Sequence, residues 1–176
     1  MNKNRWLIVA ALVFVVGGAW LWMNRAPAEA LALRTEPAPA TGHPAPDFTL
    51  TTLDGAPFVL SELRGTPIVL NFWATWCGPC QRELPELERA AAHYGGSVAI
   101  VGVDQGEEAA VVQGTVDDLG LTFAIPMDSE FEVGELYNVR GLPTTFFIDA
   151  DGVIRNVWAG EMNSITLAEN IRLIFP

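Results

Sequence analysis

The sequence predicts an α/β fold: a mixed central sheet flanked by helices, with an additional β-hairpin at its N-terminal side. Three observations predict it. Pro67-Ile68-Val69-Leu70-Asn71-Phe72-Trp73 is an apolar, β-rich run suited to a strand buried on both faces. Strand-like and helix-like segments then alternate, which requires parallel pairing across helical connections. Near the end, Thr144–Ile148 and Val153–Ala159 flank the turn Asp149–Gly152 and read as an antiparallel pair.

The chain of 176 residues begins with a segment of another kind. Residues 1–5 carry Lys3 and Arg5, and 6–23 reads WLIVAALVFVVGGAWLWM, with no charge. A helix of that length spans about 27 Å, close to a bilayer core. The basic flank predicts a cytoplasmic N-terminus, a single-pass anchor in the cytoplasmic membrane and a C-terminal domain on the extracytoplasmic side. Trp6, Trp20 and Trp22 stand near the two ends, where interfacial indoles are stabilised. A cleaved signal peptide is the competing reading, with small residues at Ala26-Pro27-Ala28 and Ala28-Glu29-Ala30. The apolar stretch exceeds the roughly 7–15 residues of such a segment, which favours retention. Residues 24–46 are rich in Ala and Pro and read as a tether, leaving 47–176 as the exported domain.

Within that domain, Phe48–Leu50 and Phe58–Leu60 flank Leu53-Asp54-Gly55-Ala56, a hairpin signal. The central run from Pro67 to Trp73 follows, its proline placed where a strand begins. A helix is expected from Pro79 to Tyr94: Leu84, Leu87 and Ala91 recur three or four apart, and Gly95-Gly96 stops it. Pro85 inside it predicts a kink. Ser97–Val103 is a second strand, and Glu107–Leu119 a helix stopped by Gly120. Leu121–Met127 holds a short strand and Glu130–Tyr137 suggests a short helix. Ile165–Ile174 closes the chain as an amphipathic helix.

Composition narrows the function. Acidic residues number 21 against 10 basic, a net charge of −11, so a broadly basic nucleic-acid footprint is excluded. Residues 1–46 hold four basic and two acidic residues, whereas 47–176 hold six and 19. No P-loop or dinucleotide fingerprint appears, and no cofactor or metal is called for. Glu130, Glu132 and Glu135 lack the spacing of a calcium loop and read as a solvated face.

The two cysteines, Cys77 and Cys80, exclude a disulfide-rich scaffold and a four-cysteine zinc site. They lie in NFWATWCGPC, where a buried strand leads into a helix. Cys77 falls at the helix N-terminus, whose free N–H groups stabilise a thiolate. Cys80, three residues on, is close enough to form a disulfide with it. A CxxC placed between strand and helix signals thiol-disulfide exchange. A static disulfide and half of a metal site use the same spacing, but no second CxxC is present. Gly78 and Pro79 shape the turn, and Trp76 offers an apolar contact surface. Glu83, on the general side of both cysteines, is a candidate proton acceptor for Cys80 if burial raises its pKa. Otherwise it only favours the helix dipole. Asn71 is a candidate support for the thiols or a plain core amide. Pro143, in Gly141-Leu142-Pro143-Thr144-Thr145, would in a cis form expose the Leu142 backbone to an extended substrate. Spacing alone makes cis the minor state.

NFWATWCGPCQRELPELE resembles the membrane-anchored thioredoxin-like proteins of the TlpA/ResA type. Further markers are Pro46-Asp47-Phe48, Leu53-Asp54-Gly55, Glu83-Leu84-Pro85, Gly141-Leu142-Pro143-Thr144-Thr145-Phe146 and Asp149-Ala150-Asp151-Gly152. The resemblance spans Pro44 to Ile174. It implies a thioredoxin-like fold, Cys77 as exposed nucleophile, Cys80 as resolving thiol, a cis bond at Pro143 and the family's active-site glutamate at Glu83. Where cytosolic thioredoxins carry a buried aspartate, this chain has Asn71. ResA itself carries a glutamate where this chain has Gly78, a departure that bears on cytochrome specificity. The resemblance further implies reduction of disulfides outside the cytoplasmic membrane, in apocytochrome c or copper-site assembly proteins. Electrons would come from a transmembrane thiol reductase of the CcdA or DsbD type. An exported thiol oxidase and a copper-site assembly module are the alternatives.

Overall fold

The computed structural model describes residues 3–23 and 35–175. Two compact units are present, Met1–Thr35 and Glu36–Pro176. In the first, α1 (Lys3–Met23) is a helix of 21 residues whose Trp6, Phe14, Val16 and Met23 are exposed. Among the described residues no helix is long and apolar enough to cross a membrane. Several side chains of α1 fall outside the described set, as do Met1, Asn2 and residues 24–34 of the tether.

The second unit is built on β1 (Thr49–Thr52), β2 (Pro57–Val59), β3 (Ile68–Trp73), α2 (Gly78–Tyr94) and β4 (Ala99–Gln105). It continues through α3 (Ala109–Leu119), β5 (Pro126–Asp128), α4 (Glu132–Leu136), β6 (Thr144–Ile148), β7 (Ile154–Ala159) and α5 (Ser164–Ile171). One mixed sheet runs in the order β2-β1-β5-β4-β3-β6-β7. β1 and β2 form the expected antiparallel hairpin, Thr49 opposite Val59. β3 pairs in parallel with β4 and antiparallel with β6, and all six of its residues are buried. Its continuous apolar sequence follows from having a packed layer on each face.

Alternation along β3 feeds two cores. Val69 and Trp73 pack with Leu84, Leu87, Leu167 and Ile171 of α2 and α5. Leu70 and Phe72 pack on the other face with Phe48, Tyr137, Phe146 and Ile154. Tyr137 ties that second core together. Its ring lies 4.9 Å from Phe146 and 5.4 Å from Phe72, edge-on or tilted, and its OH donates to the Pro46 carbonyl at 2.6 Å.

Helix α2 covers the expected span and continues through Pro85, which removes one N–H from the ladder without ending the helix. Two expectations are adjusted. Of the segment 121–127 expected to hold a strand, Pro126 and Met127 enter β5, which runs on to Asp128, with one further bridge between Ala124 and Val101. Residues 36–46, part of the stretch read as tether, belong to the compact unit. The Gly42 N–H donates to Ile154 O at 2.8 Å, Ile154 N–H to His43 O at 2.9 Å and Ala45 N–H to Gly152 O at 2.9 Å. An open sheet edge offers such groups, and prolines are tolerated there.

Removing the Tyr137 hydroxyl leaves a buried carbonyl unpaired. Tyr137→Phe should cost about 1–2 kcal/mol and Tyr137→Ala about 3–5 kcal/mol, read from urea midpoints. Equal midpoints for Tyr137→Phe and the parent chain would show that the bond to Pro46 contributes nothing.

Candidate active site

β3 ends at Trp73, and four residues later Cys77 caps α2 in an extended conformation, φ −82° and ψ 101°. The Cys80 N–H donates to Cys77 Sγ at 3.3 Å, and the two sulfurs are joined in a disulfide with a Cα–Cα distance of 5.2 Å. Pro79 sits in the first turn, where the helix ladder needs no N–H. Gly78 has no positive φ, and a β-carbon there would meet only Arg82, at an ordinary 3.7 Å. Nothing in the structure requires glycine at that position.

Burial differs between the sulfur-bearing residues and their frame. Cys77 keeps 5% of its surface and Cys80 1%, whereas Trp76 is 69% exposed. In the disulfide form Cys77 is thus nearly covered, the more open of the pair but not the exposed residue the resemblance implied. Gly78 and Pro79 beside it are exposed.

The peptide bond between Leu142 and Pro143 is cis. Thr144 stands opposite Phe72 in the β3–β6 register, so Pro143 lies at the end of β3 from which the chain leads to Cys77. The Pro143 carbonyl accepts from Gly160 N–H at 2.9 Å, and Thr144 Oγ1 donates to the Gly141 carbonyl at 2.7 Å. A groove of about 540 Å³, lined by Tyr137, Arg140, Leu142, Pro143 and Val157 among others, adjoins this turn.

Glu83 is buried, at 1% exposure, on the same side of α2 as Cys80. Burial raises its carboxyl from 4.5 to about 7. The Met162 N–H donates to Oε1 at 3.2 Å and Asn71 Nδ2 to Oε2 at 3.4 Å, and both pull the value down without cancelling burial. Glu161 adds to the rise, though it is itself held by Arg82 at 2.6 Å. Asn71 also donates to Thr145 Oγ1 at 2.8 Å, leaving its Oδ1 buried without a partner. Asn71 therefore joins β3, β6 and Glu83.

Two further acidic residues belong to the site. Glu107, the first residue of the helix expected over 107–119, accepts from Thr75 N–H and from Thr75 Oγ1, each at 2.5 Å. Asp104, at 0% exposure, ends the apolar run of β4 beside Trp73. The available signal was an acid inside a strand that otherwise reads as buried.

Three comparisons bear on this geometry. Residues 41–157 match the model of the AhpC/TSA family. Thiol-disulfide oxidoreductase ResA of Geobacillus kaustophilus is 40% identical over 140 residues, 79% of this chain and 80% of the relative. The chain belongs to the AhpC/TSA family, among the relatives of ResA. A secreted Mycobacterium tuberculosis disulfide oxidoreductase, described as homologous to DsbE of E. coli, superposes with a TM-score of 0.66 at 33% identity. It covers 71% of this chain and 94% of its own. A thiol:disulfide interchange protein of the thioredoxin family from Chlorobium tepidum gives 0.69 at 26% identity, over 81% and 99% of the two chains. The ResA-like chain is a thiol-disulfide oxidoreductase with a thioredoxin-like fold, and Cys77–Cys80 is its redox-active disulfide.

The raised carboxyl of this oxidoreductase has a thermodynamic consequence. A carboxyl whose folded value exceeds its unfolded value stabilises the fold while protonated. Glu83's contribution is complete below about 4.5 and is lost as pH rises through about 7. Glu83→Gln keeps a neutral side chain throughout. Relative to the parent, the variant should gain on the order of 3 kcal/mol between about pH 4 and pH 8, measured by urea unfolding of the oxidised forms. A stability difference that does not change with pH would place the Glu83 carboxyl in the ordinary range.

Proposed function

We propose that this oxidoreductase works as a reductant of protein disulfides outside the cytoplasmic membrane, apocytochrome c cysteines among them. The observation that carries the reading is a CxxC at a helix N-terminus with a buried, proton-retaining carboxyl beside it. In the dithiol form the Cys77 thiolate attacks one sulfur of the substrate disulfide. The substrate S–S bond breaks, a mixed disulfide forms, and the leaving sulfur takes a proton. Cys80 then loses its proton to Glu83 and attacks Cys77 Sγ. The second substrate thiolate departs, and the Cys77–Cys80 disulfide remains. Two electrons have passed to the substrate.

Direction follows from the electrostatics of the pair. A strong thiol oxidant is one whose reduced form is stabilised. Here the helix N-terminus favours a thiolate at Cys77, but an ionised Glu83 would repel it across a dry core. That opposition destabilises the reduced form and favours giving electrons away.

We assign substrate contact to Trp76, Gly78 and Pro79, which form the exposed rim, and to Leu142 and Pro143. No hydrogen bond engages the Leu142 backbone among the described residues, which leaves it open to an extended segment. Asn71 supports Glu83. The anchor is assigned to 6–23 and the exported domain to the far side of the membrane, with a CcdA- or DsbD-type thiol reductase as electron donor. Anchoring confines both partners to one surface and raises their encounter frequency. Of the tether over 24–46, we keep that assignment for 24–35, since the second compact unit begins at Glu36.

Cys80→Ser should accumulate a mixed disulfide through Cys77 with exported cysteine proteins, recovered by diagonal gels, while Cys77→Ser should accumulate none. Adducts that form equally in both variants would reverse or abolish the assigned roles. Adducts confined to proteins without paired cysteines would remove the reductase reading.

A further inference from the structure

The penultimate residue of β4 carries a carboxyl group that the exchange chemistry of Cys77 and Cys80 leaves unused. Asp104 lies opposite Trp73 of β3 and Met127 of β5 in the sheet register. It faces the same side as Gly102, where a β-carbon would stand 3.0 Å from the Trp73 indole nitrogen. Neither Oδ1 nor Oδ2 meets a donor in hydrogen-bond geometry. Three kinds of group surround it. From the following loop Glu107 bears on it through its side chain and its N–H; from β5 comes Asp128; from β3, the uncharged Trp73. Glu83 on α2 is engaged elsewhere, by Asn71 and Met162. No cation is among the influences on Asp104, and burial with the two acids raises its carboxyl to about 8.

The three acids are not equivalent. Asp128 accepts from Gln105 Nε2 at 2.7 Å, Gly134 N–H at 2.7 Å and Val133 N–H at 3.1 Å. Glu107 has a Thr75 donor on each oxygen. Asp104 has none. Adjacent carboxyls without a cation do not both ionise, so one proton stays between Asp104 and Glu107. It belongs on the oxygen that lacks a donor, and its acceptor is Glu107.

We propose that Asp104 and Glu107 form a single-proton carboxyl pair that positions the active-site turn, with Asp104 donating to Glu107 and Glu107 holding the N–H and hydroxyl of Thr75. Thr75 stands two residues before Cys77, so the pair sets where the capping sulfur sits. Both acids are positioning residues that touch neither sulfur nor substrate. The proposal rests on Cys77 as the attacking sulfur. Loss of the shared proton sets two negative charges face to face and loosens Glu107 from Thr75.

Two measurements on the full chain test the pair. Side-chain carboxyl ¹³C shifts of the oxidised form should show Asp104 titrating near 8, and returning towards the ordinary range in Glu107→Ala. The reduced form should react with 5,5′-dithiobis(2-nitrobenzoate) about tenfold more slowly in Glu107→Ala, with unfolding midpoint little changed. Asp104→Asn keeps a donor for Glu107, so its rate at neutral pH should stay within about twofold while the break in the pH profile near 8 disappears. An Asp104 that titrates near the usual carboxylate value, or a Glu107→Ala chain with parental rate and pH profile, overturns the pair. A parent chain whose Asp104 titrates near 8 but which is inert to the disulfide overturns the oxidoreductase reading and leaves the pair standing.

Discussion

The site depends on the hand-over from β3 to α2. β3 is hydrogen-bonded along both edges and buried on both faces, so its C-terminal end has no freedom to shift. The chain then has three residues, Ala74 to Trp76, in which to leave the sheet and begin a helix. Leu84 and Leu87 fix the rotation of that helix by packing on Val69 and Trp73. Once rotation and start are fixed, Cys77 must cap the first turn, Cys80 must lie over it and Glu83 must point inward. The reactive geometry is a consequence of how the core is packed, with no strain needed to hold it.

Burial then gives the same chemical type different duties. Glu83, Asp104 and Asp128 are all buried carboxyls. Asp128 is met by three donors and serves as a structural acceptor. Glu83 is met by two longer bonds and keeps a proton to about neutrality. Asp104 has no donor and keeps one longer. Burial is the first cause of both rises, and the neighbouring acids Glu107 and Asp128 carry Asp104 further than Glu83. Most of the chain's net negative charge is solvated; of the exposed acids, Glu161 adds to the rise at Glu83.

Local pattern made much of the fold legible. The apolar run to Trp73 and the Thr144–Ile148 segment became strands at the residues expected, and Gly95 and Gly120 end their helices in left-handed conformations at φ 53° and 62°. The cysteine spacing and the glutamate six residues on were equally legible, since one helix carries all three. Long-range pairing was not. Residues 36–46 read as a tether because their prolines say only what they avoid, whereas the bonds that dock Gly42, His43 and Ala45 run to residues more than a hundred positions away. Glu107 read as a helix start for the same reason: its partner, Thr75, is 32 residues back. The cis bond at Pro143 came from family resemblance alone, since the local sequence favours trans.

The claim on which the rest turns is that position on the helix makes Cys77 the attacking sulfur and Cys80 the resolving one. The most direct measurement is limited alkylation of the fully reduced chain with iodoacetamide, with the modified residue identified by mass spectrometry across neutral pH. The cap position and the lesser burial of Cys77 predict that carbamidomethyl first appears on Cys77, with Cys80 unmodified until the fold is opened. Modification of Cys80 first, or of both at equal rates, would contradict the account.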